Sequence, residues 1–227
     1  MTTGSTEKLN RPESAGFTII ELLIATTIFS LILLLAVAGI LQVTKLYRQG
    51  VTQARVQEAA RNVVEEISEA IRFSTDSVVH QSATIVTGPE VTPDNHANYF
   101  CLGRQRYTYA MDRQLKTSPA SGTKEKRRVL WVDQPAVCDG ASGPADLDNG
   151  ADIDGRELLS ENMRLTRFEI TTIGVDVQKI NISVAYGADD LFNIVNAGDV
   201  NKTCRTVFTG AEFCAVSNLS VVATKRL

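Results

Sequence analysis

Histidine is almost absent from this chain of 227 residues: there are two, His80 and His96. Both are distant in sequence from every cysteine, and neither a C-x-x-C pair nor an H-E-x-x-H run occurs, so a zinc site has no support. The G-x-S-x-G turn of a hydrolase nucleophile and a phosphate-binding glycine loop are missing too. Ser and Thr are plentiful, yet none has a recognisable base beside it, and nothing positive points to an enzyme. Aromatic residues make up only 6%, which leaves no stacking platform for single-stranded nucleic acid. The formal net charge of −3 lacks the excess of one sign that would draw the chain to a nucleic acid. No internal repeat is visible.

What the chain does have is one long apolar run. It starts at Phe17 and continues to Leu41, about 25 residues with a single ionisable side chain, Glu21. As a helix it would measure roughly 37 Å, enough to cross a hydrocarbon layer. A polar segment precedes it and ends at Gly16. A carboxylate inside such a run is costly unless it finds a partner, and an intramembrane carboxylate marks function by default.

Gly16 followed by Phe17-Thr18-Ile19-Ile20-Glu21-Leu22-Leu23-Ile24-Ala25 resembles the processing site of type IV prepilins and of the pseudopilins of type II secretion. The resemblance implies that a membrane prepilin peptidase cuts between Gly16 and Phe17 and methylates the new amino group of Phe17. It implies that Glu21 is the glutamate at the fifth position of the mature chain. In a filament core with little water that carboxylate needs a cation, and the amine of a neighbouring subunit's Phe17 is the candidate. An unpaired buried charge would cost several kcal/mol, so the pairing would check the register of docking. The competing sequence reading is a secretory signal cut after Ala36-Val37-Ala38, before Gly39. Against it stand the length of the run, the position of Glu21, and a leader in which Glu7 and Glu13 cancel Lys8 and Arg11.

The helix is expected to continue beyond the membrane, because residues 42–79 contain no Pro and one Gly, Gly50. Apolar residues recur there at helical spacing: Val43, Leu46, Tyr47, Val51 and Ala54, then Ala60, Val63, Val64, Ile67, Ala70 and Ile71. Charges of both signs fall between them, giving one buried stripe and one wet face. After Ser74-Thr75-Asp76-Ser77 the character changes, and later segments alternate with period two. Strands are predicted at 83–86, 99–102, 106–111, 129–132, 163–171, 179–187 and 216–224, with a turn at 158–162, a helical turn at 189–197 and a loop around Gly210. The cluster Lys124 to Arg128 reads as a solvated hairpin edge rather than a phosphate-binding patch.

Four cysteines, Cys101, Cys138, Cys204 and Cys214, all follow the apolar run. An even count in an exported domain favours two disulfides. Of the three pairings, Cys101–Cys138 with Cys204–Cys214 is preferred, because each joins residues in the same half of the domain. Residues 139–157 are the most polar stretch, and Asp146, Asp148, Asp152, Asp154 and Glu157 crowd within it. Several of these take EF-hand spacing, but Gly150 and Ala151 stand where a ligand and the turn glycine belong. The segment is therefore either a solvated acidic loop or an irregular calcium loop, with calcium the one candidate cofactor and none required.

The expected organisation is a leader at 1–16, a transmembrane and filament-core helix at 17–41, its amphipathic continuation at 42–79 and a β-rich head at 80–227. The fold class is α+β, a long helix packed on an antiparallel sheet. The resemblance implies a non-enzymatic filament subunit, a minor pilin or else a minor pseudopilin, anchored in the cytoplasmic membrane with its head outside before extraction into a filament. Its partners would be the prepilin peptidase, other pilin subunits, a membrane assembly platform and the lipid bilayer. A membrane-anchored binding module that never polymerises is the alternative from another class.

Overall fold

The computed structural model describes residues 16–74, 79–81, 98–115, 128–138, 143–145, 147, 154–174, 176–193, 202–205 and 210–226. The chain divides into two units, Met1–Thr44 and Lys45–Leu227. Helix α1, Ile19–Phe73, contributes to both. The strands are β1 (Val79–Gln81), β2 (Asn98–Leu102), β3 (Gln105–Tyr109), β4 (Leu130–Asp133), β5 (Gly155–Glu157), β6 (Met163–Gly174), β7 (Val177–Tyr186) and β8 (Ala215–Thr224). They form two antiparallel sheets rather than the expected one: sheet A in the order β1-β2-β3-β4-β5, and sheet B in the order β6-β7-β8.

In the second unit, α1 buries Val56, Ala60, Val63, Val64, Ile67 and Ile71. Their spacing of three and four residues puts them on one face. The stripe starts later than its sequence pattern suggests: Val43, Leu46, Tyr47 and Ala54 are exposed, and burial begins at Thr52. One core joins the helix to both sheets, with Phe100 and Leu130 from sheet A and Leu165, Ile180 and Ile182 from sheet B. Phe100 seals the seam. Its ring stacks on Tyr107 at 4.8 Å and on Phe168 of β6 at 5.5 Å. Fully burying one such side chain contributes about 1.5–3 kcal/mol, so this cluster outweighs any single polar contact nearby.

Helix α1 ends at Phe73, and the expected continuation to residue 79 is corrected. Ser74 Oγ donates to the Ile71 carbonyl at 3.0 Å, and Arg226 N–H donates to the Arg72 carbonyl at 3.2 Å. Two of the orphan carbonyls of the last turn are thereby satisfied. Val79 already belongs to β1, paired with Cys101. The strand expected at 83–86 lies outside the described residues.

Strand β3 is covered on both faces. Tyr107 points into the main core, while Thr108 accepts the Ala145 N–H at 3.0 Å from the segment on the other side. Arg106 is buried there as well. Its Nε donates to Asp133 Oδ1 at 2.9 Å, a second nitrogen meets Asp133 Oδ2, and Nη1 reaches the Gly143 carbonyl at 3.0 Å. At the end of sheet B, Arg164 is 1% exposed. It pairs with Asp189, donates to the Gly187 carbonyl at 3.1 Å and lies over the Phe192 ring.

Candidate functional site

The first unit consists, in its described part, of the start of α1. Thr18 has left the helix and its carbonyl accepts the first helical bond, from Leu22 N–H at 3.2 Å. Thr18 Oγ1 accepts the Glu21 N–H at 3.3 Å, and Glu21 Oε2 accepts the Thr18 N–H at 3.2 Å and its hydroxyl at 3.0 Å. This is a capping box: two helix-end donors satisfied reciprocally by a Thr and the Glu three residues on. Its sequence signal is T-x-x-E before an apolar run, which overlaps the processing motif. Glu21 Oε2 thus holds Thr18, while Oε1 has no hydrogen-bond partner among the described residues. An anion in the first turn also suits the positive end of the helix dipole.

Around this box the surface is apolar. Phe17 is 82% exposed and Ile19 likewise 82%. An 18-residue window of α1 has a mean hydropathy of 2.6 and none of it is buried within the protein, so by length and composition it can cross a membrane. Its few polar side chains are turned back onto the helix. Thr26 and Thr27 donate to the carbonyls of Leu23 and Ile24 at 3.0 and 2.8 Å, and Ser30 donates to Thr26 at 2.7 Å. Such back-bonding leaves no hydroxyl to be satisfied by water. Glu21 is the one ionisable group on this surface.

The four cysteines pair as preferred, Cys101 with Cys138 and Cys204 with Cys214. The first ties β2 to the segment after β4. The second closes the loop that leads into β8.

Of the acidic residues, Asp146, Asp148 and Asp152 lie outside the described residues. Asp154 is exposed, just before β5. Glu157 points the other way, into the protein. Its two oxygens accept the N–H groups of Val129 at 2.9 Å, Leu130 at 2.8 Å and Leu159 at 3.2 Å. Burial pushes its carboxyl above the usual range, while those backbone bonds pull it down. Among the described residues no three acidic, His or Cys side chains come together as metal ligands. His96 and the cluster at 124–127 lie outside the described residues; Arg128 stacks on Trp131, 3.5 Å from the ring centre.

Residues 11–37 match the prokaryotic N-terminal methylation motif, the signal of type IV pilins and pseudopilins. No curated protein and no solved structure matches the chain.

Proposed function

We propose that the chain is a subunit of a type IV pilus-like filament. A prepilin peptidase cuts between Gly16 and Phe17 and methylates Phe17, and the subunit waits in the cytoplasmic membrane with its head outside. The observation that carries this reading is the N-terminal segment itself. The methylation motif coincides with an unburied apolar helix whose single carboxylate has one oxygen without a partner among the described residues.

Extraction exchanges lipid contacts for contacts with neighbouring helices, so the hydrophobic gain is small. Packing and pairing of Glu21 with the Phe17 amine of a neighbour then set the register. A minor subunit is favoured over a major one, because the long polar segments at 88–98, 112–128 and 139–157 suit a position that does not repeat densely.

Glu21→Ala and Glu21→Gln variants, expressed beside the wild type, test the assembly step. The expected result is normal membrane insertion and head folding with loss of the subunit from sheared filaments in both variants. Full incorporation of Glu21→Ala would contradict the pairing, and absence of the wild type itself from sheared filaments would favour a plain anchor that carries a binding module.

A further inference from the structure

Sheet B ends in β8, whose outer edge pairs with no strand among the described residues. In an antiparallel ladder the N–H and C=O of one residue point to the same side, and the side alternates along the strand. Two bonds fix that alternation in β8. Lys225 N–H donates to the Asp176 carbonyl at 2.9 Å, toward β7, whereas Arg226 N–H donates to the Arg72 carbonyl at 3.2 Å, away from it. The β7–β8 pairing runs from Ala215 to Thr224 without a register shift, so every even-numbered residue turns its backbone outward. Val216 agrees: its carbonyl accepts from Gln53 Nε2 at 3.3 Å. Helix α1 therefore closes the outer edge at its two ends. Between them Asn218, Ser220, Val222 and Thr224 face outward, with no backbone partner among the described residues.

Beside this edge, α1 and β8 enclose a groove of about 610 Å³. Val64, Phe73, Leu219 and Val221 line its apolar part, and Arg61, Glu65, Glu69 and Arg72 stand along it. Ser68 also lines the groove. It is 6% exposed, and its hydroxyl has no partner among the described residues. Proteins commonly guard an open edge with charge, Pro or a bulge. From Asn218 to Thr224 there is no charged residue, no Pro and no bulge.

We propose that this groove takes a short extended segment of a partner protein, added to β8 as a further strand. Only an extended backbone satisfies a row of outward N–H and C=O groups, because a helix uses its own internally. Alternate side chains of the added strand turn toward Val64, Leu219 and Val221 and are apolar. Those between them lie with the exposed side chains of Asn218, Ser220, Val222 and Thr224 and are polar. One polar atom of the segment meets Ser68. A second copy of this chain fits less well, since its β8 would bring its own capped ends against the Gln53 and Arg72 caps. This inference does not depend on the filament reading.

The test uses the full chain in detergent micelles and a short labelled peptide that alternates Val with Ser. In the free chain the amides of Asn218, Ser220, Val222 and Thr224 exchange fast, while those of Leu219, Val221 and Ala223 are protected. Peptide is expected to slow the four outward amides and to bind about tenfold or more tightly than its N-methylated form, which has lost its donors. Val222→Pro removes an outward N–H and leaves the ladder to β7 intact, as Pro on an edge strand can. It should weaken binding by about tenfold or more, and Ser220→Pro serves as the second variant. Equal binding of the N-methylated peptide, or no protection of the outward amides by peptide, overturns the proposal. Protection that rises with protein concentration in the absence of peptide assigns the edge to a second copy and overturns it as well.

Discussion

Replacing Glu157 asks what holds β5 against β4. The carboxylate takes the N–H groups of Val129, Leu130 and Leu159 from inside the protein. Glu157→Ala leaves all three without that acceptor. At about 1–3 kcal/mol for each buried donor left unsatisfied, and with some relief from no longer burying a charge, the expected loss is roughly 3 kcal/mol. Glu157→Gln keeps one acceptor oxygen and removes the charge, so it should lose about 1–2 kcal/mol. Trp131 is the chain's one tryptophan and pairs directly with Glu157, so its fluorescence reports this joint. Urea unfolding of the full chain in micelles should show a lower midpoint at unchanged slope. The pH dependence follows from the sign of the shift. Burial raises the folded-state pKa of Glu157 above its unfolded value of 4.5. Between those two values the folded state binds more protons, so stability falls as pH rises through that window and levels off above it. Glu157→Gln should abolish this contribution. A Glu157→Ala midpoint within about 0.5 kcal/mol of wild type would refute the reasoning.

Ile67→Ala should cost about 2–5 kcal/mol in the same unfolding experiment, since Ile67 is 0% exposed. Leu46→Ala should stay within about 0.5 kcal/mol, because Leu46 is 61% exposed; equal effects would contradict a stripe that begins at Thr52. Asp133→Ala strands the buried guanidinium of Arg106 and should lower stability by about 3–5 kcal/mol. A double replacement of Arg106 and Asp133 by apolar residues should recover part of that loss, as an unfolding cycle would show.

The apolar run and the longer strands were legible because their periods repeat over many residues. Phe17 to Leu41 leaves no alternative to a helix exposed to something other than water. Alternation in Lys179 to Gly187 places Ile180, Ile182 and Val184 on one face, where the structure buries them. Shorter elements were not legible. Gly155-Arg156-Glu157 is three residues with no apolar member, and β5 exists through pairing with β4 and the bonds of Glu157. The cluster Ser74-Thr75-Asp76-Ser77 announces a change after the helix, but no apolar alternation marks Val79-His80-Gln81 as a strand. Alternation also says which side of a strand is buried, not which strand lies beside it; one sheet and two sheets give the same pattern. Arg106 and Thr108 are polar members of an alternating strand, yet the segment 143–145 covers them, an arrangement set by residues more than thirty positions away. The outward parity of β8 needs the bonds of Lys225 and Arg226 and has no signature in composition.

The most direct test of the central claim is the N-terminal sequence and intact mass of the protein recovered from its native cell envelope. The account predicts a chain that starts at N-methylated Phe17. A chain that starts at Gly39, or one that retains Met1 in cells with an active prepilin peptidase, would contradict it.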